Sequence, residues 1–195
     1  MSINLQKGQK IDLTKGNVGL SKIMVGLGWD PVDQKGGFFR QPQQIDCDAS
    51  VILVNENEKL KDTRDVVYFG NLTHSSGNIR HMGDNLTGEG DGDDEQIMVT
   101  LNMVPQYVSK LIFVVNIYDA FKRKQHFGMI KNAYIRIVDE KTNKELLKFS
   151  LTDDYSQFTD VIVGEVYRHG SEWKFAAIGQ GSNCGSLKEL IKRYN

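Results

Sequence analysis

Leu111-Ile112-Phe113-Val114-Val115-Asn116-Ile117-Tyr118 is the most apolar run in the chain, and its character decides the fold. It is too short for a typical helix, is rich in β-branched and aromatic side chains, and is apolar on both faces. Such a run reads as a central strand covered on both sides. Working outward, Ile45 to Asn55 is strand-like and turns apolar on both faces after Ser50, as an inner strand would. Lys22 to Leu27 and Ile97 to Leu101 read as further strands, and Ile3-Asn4-Leu5 with Ile11-Asp12-Leu13 as an opening hairpin around Lys7-Gly8-Gln9. The second half reads as a meander of Ala133–Val138, Glu145–Leu151, Val161–Tyr167 and Trp173–Ile178. Its turns are supplied by the stretches 140–144 and 168–171. Two helices are expected. One is a short helix over Ala120 to His126 behind Asp119. The other runs from Leu187 to Arg193, with Ser186 and Glu189 in capping-box spacing. The fold class is mostly β: a β-sandwich of two sheets with short peripheral helices and a C-terminal helix.

At 195 residues and 22.0 kDa the chain is expected to form a single domain over 1–195 with its own core. A net charge of −1 gives no global pull towards nucleic acid or an anionic membrane. There is no apolar run of membrane-spanning length, and Met1 to Lys7 lacks the layout of a signal peptide. Cys47 and Cys184 show no metal or redox spacing, which suits a reducing cytoplasm with both thiols free.

Chemistry is concentrated in Gly83-Asp84-Asn85-Leu86-Thr87-Gly88-Glu89-Gly90-Asp91-Gly92-Asp93-Asp94-Glu95. From Asp84 to Glu95 it carries six acidic side chains, three glycines and no basic residue. Carboxylates packed so closely repel one another unless a cation lies among them. The glycines permit the tight turns that gather oxygens around one centre. An all-oxygen anionic cage suits calcium better than magnesium, because six to eight ligands at relaxed geometry are on offer. Asp84 and Glu95 have the spacing of the ends of an EF-hand loop. However, Leu86 and Gly88 occupy ligand positions, Glu89 replaces the required glycine, and a strand follows where a helix belongs. The alternating glycines are no phosphate cradle either: no Gly-Lys-Ser/Thr follows, and the charge repels phosphate.

The leading candidate ligands are Asp84, Asp91, Asp93, Asp94 and Glu95, with the Asn85 side-chain oxygen and the Gly88 carbonyl completing a shell. The carboxylates suffice for one or two calcium ions, two being favoured. Asp46 and Asp48 alternate on a strand and therefore share a face, about 7 Å apart. Ligation, an exposed position at the sandwich end, or pairing with a cationic side chain would each account for them. Asp119 is a further candidate, with an N-cap role as its competitor. The alternative reading is a divalent-metal-dependent hydrolase using the same carboxylates, although a separate base is lacking. The four histidines show no ligand spacing. Lys122-Arg123-Lys124 beside Phe121 could face lipid or a partner, and no interleaving of aromatic and basic residues points to nucleic acid.

Taken together, the chain resembles the TerD family of tellurium-resistance and stress-response proteins. The matching motifs are Val25-Gly26-Leu27-Gly28-Trp29-Asp30, Ile45-Asp46-Cys47-Asp48-Ala49-Ser50 and Gly83 through Ile97. They continue in Ile117-Tyr118-Asp119-Ala120, Phe127-Gly128, Asn132-Ala133-Tyr134-Ile135-Arg136 and Gly164-Glu165-Val166-Tyr167-Arg168-His169. Trp173-Lys174-Phe175 and Gly179-Gln180-Gly181 complete the series. Cys47 departs from the apolar residue common at its position. The resemblance implies a bacterial, cytoplasmic, non-enzymatic calcium-binding β-sandwich, with the 46/48 pair near the acidic loop. Its implied partners are other proteins of the same resistance system, or a membrane protein or membrane surface at the inner face, and not nucleic acid.

Overall fold

The computed structural model describes residues 2–31, 45–83, 92–151, 153 and 155–195. Two six-stranded sheets face each other across one core. In the first, strands β1 (Ile3–Leu5), β10 (Lys144–Ser150), β9 (Ile130–Asp139), β3 (Lys22–Pro31), β7 (Glu95–Thr100) and β6 (Ile79–His81) lie side by side in that order. In the second the order is β2 (Lys10–Asp12), β12 (Glu172–Ser182), β11 (Asp160–His169), β8 (Lys110–Ile117), β4 (Cys47–Val54) and β5 (Val66–Val67). The expected β-sandwich is therefore what the chain forms.

β8 carries the run with which the sequence reading began. It is hydrogen-bonded to β11 on one side and β4 on the other, and every residue from Leu111 to Ile117 is buried. Alternation explains why it is apolar throughout. Leu111, Phe113, Val115 and Ile117 enter the core between the sheets, whereas Ile112 and Val114 enter a second cluster beneath the C-terminal segment. β4 divides in the same way: Cys47, Ala49, Val51 and Leu53 face the first cluster, and Ile52 and Val54 the second. That second cluster includes Leu190 and Tyr194 from helix α2 (Leu187–Ile191) and the 3-10 turn after it. The Ser186 hydroxyl accepts from the Glu189 N–H and fixes the start of α2 as the sequence indicated. A shorter helix, α1 (Ala120–Arg123), follows β8.

Two expectations about connectivity fail. The first two strands do not pair: β1 runs parallel to β10 in one sheet, whereas β2 pairs with β12 in the other. The turn at Gln6–Gln9 carries the chain across the sandwich, because each short strand finds a long edge to extend. The second half is not one meander either. β9–β10 is a hairpin of the first sheet and β11–β12 a hairpin of the second. β10 ends in the first sheet at Ser150, and β11 begins in the second at Asp160. Alternating patterns specify strands but not which sheet each joins. No helix among the described residues is long and apolar enough to cross a membrane.

Candidate functional site

The three consecutive acidic residues that lead into β7, Asp93, Asp94 and Glu95, each reach a different element. Asp93 turns onto the outer face of the first sheet, where Arg136 of β9 clasps it. Arg136 Nε donates to Oδ1 at 2.7 Å and the terminal nitrogen donates to Oδ2 at 2.8 Å. The Tyr134 hydroxyl donates at 2.7 Å to the Gly92 carbonyl and lies 3.0 Å from Asp93 Oδ1. The Asp93 side chain is fully buried by this clasp. Hydrogen bonding to Asp93 pushes the Arg136 guanidinium further above its ordinary range, and burial with the adjacent Asp93 charge pushes the Tyr134 phenol up.

Asp94 points back to β3 and accepts the Trp29 N–H at 2.8 Å. Burial raises its carboxyl above the usual range, and Asp30 and Asp93 add to the rise against the Trp29 N–H. Glu95 faces the core, only 1% exposed. Its Oε2 accepts the Ala49 N–H of β4 across the sandwich and meets His81 Nε2 of β6 at 3.2 Å. Strand pairing leaves that N–H to be satisfied, since β5 covers β4 only at Val51 and Ile52. Three successive carboxylates thus tie the end of the acidic loop to β9, β3, β4 and β6.

Two glycines of β3 make this possible. A Cβ on Gly26 would lie 2.2 Å from an Asp93 carboxylate oxygen, and one on Gly28 would lie 2.6 Å from the Tyr134 ring. The bare outer face of β3 is the bed on which Asp93 and Tyr134 lie. Residues two apart on a strand share a face, so the pattern Gly26-x-Gly28 was the available signal for this close approach. Arg136, Tyr134 and His81 were not foreseen as parts of the site. Tyr134 and Arg136 likewise alternate on one strand face, which is the trace they leave in the sequence.

The other candidates are placed as follows. Asp46 and Asp48 flank the Cys47 core position, and both are buried. Asp46 meets Arg123 at 3.3 Å, and Asp48 accepts from the Asn116 amide at 3.2 Å. Burial pushes the Cys47 thiol well up, and Asp48, Asp46, Glu95 and Asp94 add to the rise in that order. Asp93 is turned away from them to Arg136. Asp119 occupies the N-cap position of α1 with φ 50° and makes no capping bond, meeting Lys122 at 3.7 Å instead. Asp84, Asn85, Gly88 and Asp91 lie outside the described residues. Among the described residues, no three His, Cys, Asp or Glu side chains meet in a metal-holding group.

The donor chemistry nonetheless suits a hard cation. Asp46, Asp48 and Asp94 carry carboxylate oxygens, the imidazole of His81 is engaged with Glu95, and burial pushes the Cys47 thiol up.

Comparison with known proteins adds the family. The TerD domain model matches residues 1–194. The chain is 56% identical over 199 residues to the stress response protein SCP2 of Bacillus subtilis, with both chains covered in full. It is 43% identical to the tellurium resistance protein TerD of Serratia marcescens, covering 100% of this chain and 97% of the relative. A crystal structure of a TerD homologue from Streptomyces coelicolor superposes with a TM-score of 0.65 over 88% of this chain at 20% identity, a likeness of fold.

Proposed function

This chain belongs to the TerD family, and we propose that within it the chain acts as a non-catalytic calcium-binding module of a cytoplasmic stress and tellurium-resistance system. The observation that carries the reading is the anchoring of Asp93, Asp94 and Glu95 to four strands of both sheets. Such anchoring fixes the described end of the acidic segment to both sheets. The names of the similar proteins fit, since they describe stress response and tellurium resistance rather than a reaction.

In this account Asp84, Asn85, Gly88 and Asp91 supply most of the oxygens, with Asp94 and Asp46 as further carboxylate donors. Asp93 and Glu95 are positioning residues, their oxygens engaged by Arg136, by the Ala49 N–H and by His81. A bound calcium ion would supply positive charge to a loop whose carboxylates otherwise repel one another. The loop root then holds a single arrangement that a partner protein of the same system, or the inner membrane face, can recognise.

Calcium-dependent stability tests this reading. Chelator-treated protein should gain about 2.7 kcal/mol when calcium is a hundredfold above its dissociation constant. The gain should be lost on changing Asp91 and Asp94 together to Asn. Melting that is indifferent to calcium, or equal stabilisation by magnesium, would remove the proposal.

A further inference from the structure

On the outer side of β4 and β8, three aromatic rings stand open to water beside the start of α2. Phe69 and Tyr118 line a cleft of about 170 Å³ and pack edge to face with ring centres 6.0 Å apart. Tyr68 backs Phe69 in the same way at 5.3 Å. Phe121 is carried outward on α1, whose first residue, Ala120, is buried. Its ring lies against the bare backbone of Gly185, where a Cβ would come 2.2 Å from it. Gly185 and Leu187 line the same cleft, so the three rings form one patch. Phe69 and Tyr118 are 39% and 40% exposed, and Phe121 is 63% exposed. Apolar side chains scattered singly over a surface need no account, whereas a contiguous patch marks a surface that meets something.

The charges around the patch indicate what it meets. Lys122, Arg123 and Lys124 follow Phe121 directly, and Lys188 stands in the cleft lining. The acidic side chains beside them are engaged. Asp119 meets Lys122 at 3.7 Å, Asp46 meets Arg123 at 3.3 Å, and Glu189 meets Lys192 at 2.6 Å. Asp48, at the cleft floor, is buried and accepts from the Asn116 amide. Lys124 and Lys188 are exposed and form no ion pair among the described residues. The Arg123 guanidinium also lies 5.0 Å over the Tyr118 ring, so cations and rings share one surface. Exposed aromatic rings beside a surplus of two lysines match the boundary of an anionic bilayer. The rings settle at headgroup depth, and the lysine stems follow the acyl boundary while their ammonium groups reach the phosphates. A cleft of about 170 Å³ admits a side chain or two and is too small to seat a partner's helix or strand.

We propose that the patch of Phe69, Tyr118 and Phe121, flanked by Lys124 and Lys188, docks the protein on an anionic phospholipid bilayer. Docking by this surface rests on the membrane alternative of the proposed function and gives it a place on the molecule and a lipid charge. None of the five residues is a candidate calcium ligand, so contact with lipid is measurable apart from calcium uptake.

The test is cosedimentation of the full chain with vesicles of equal parts phosphatidylcholine and phosphatidylglycerol, and with vesicles of phosphatidylcholine alone. Each is run with calcium and with chelator. Saturable sedimentation with the anionic vesicles, falling as salt is raised, and little with the neutral ones, is expected. Phe121→Ala, at an exposed position that should leave the fold intact, is expected to weaken binding about tenfold. Lys124→Gln together with Lys188→Gln is expected to weaken it on the order of tenfold or more. Lys141→Gln, in the turn between β9 and β10, should leave it unaltered. Sedimentation in either condition, weakened by these variants and not by the control, upholds the proposal. No binding to anionic vesicles in either condition, equal binding to neutral ones, an unchanged affinity in Phe121→Ala, or an equal loss in Lys141→Gln overturns it. So does binding of a glutamate-rich peptide through the same residues with no sedimentation, which would assign the patch to a protein partner. Calcium uptake by each variant, measured without vesicles, should be unaltered, and this separates a failure of docking from a failure of the calcium reading.

Discussion

Arg136 grips Asp93 with two parallel N–H···O bonds of 2.7 and 2.8 Å, and a further nitrogen of the same guanidinium meets Glu145 at 3.2 Å. Through this fork β9 holds the residue at which the acidic loop rejoins the sheet. The planar fork matches the carboxylate edge to edge, which a lysine cannot do.

Removing the fork strands a buried charge. Arg136→Leu should cost on the order of 3 kcal/mol, because Asp93 is left without its cation in a buried place. Arg136→Lys should recover part of that but not the geometry. Urea unfolding of the three proteins side by side checks this order. Equal stabilities would show that the clasp contributes nothing.

Gly26→Ala asks whether the bare face of β3 is required. The added methyl would meet the Asp93 carboxyl at 2.2 Å, and Arg136 leaves that carboxyl little room to retreat. A loss of about 1–3 kcal/mol is expected. Calcium binding, where present, should weaken along with it, because the root of the loop is displaced. Gly16, which faces open space, is the control position, where alanine should leave calcium binding untouched.

Glu95 links the two sheets through its bond to the Ala49 N–H. Glu95→Ala opens a cavity and leaves both that N–H and His81 without their acceptor, for an expected cost of about 2–4 kcal/mol. Hydrogen exchange at the Ala49 amide should quicken well beyond the global change. Unaltered protection there would show that the bond is not formed in solution.

The two thiols should differ in reactivity. Cys47 is fully buried, and burial together with Asp48, Asp46, Glu95 and Asp94 raises it well above the ordinary thiol range. Cys184 is partly exposed and raised chiefly by burial. An aromatic disulfide reagent at pH 8 should label Cys184 in the native protein and Cys47 only on unfolding. Comparable rates at the two would contradict the packing around Cys47.

The sequence revealed some of this and concealed the rest for physical reasons. β4 and β8 were legible because a strand buried on both faces must be apolar throughout. The start of α2 was legible because Ser186 and Glu189 are local to it. The split of the opening residues between two sheets was not legible, since three-residue strands carry too little pattern to name a partner. In the site, the acidic loop announced itself by composition, but the partners of its last three carboxylates did not. Arg136, Ala49 and His81 are distant in the chain and meet Asp93 and Glu95 only through the sandwich. The acidity of Asp93 is visible in the sequence, whereas the arginine that grips it from another strand is not. The paired glycines of β3 were visible, but their meaning required knowing what lies across them.

The most direct test of the central claim is calorimetric titration of chelator-treated protein with calcium while magnesium is held in excess. The account predicts saturable uptake of one or two calcium ions, strongly weakened when Asp91 and Asp94 are both changed to Asn. A flat titration, or displacement of the response by magnesium, would contradict it.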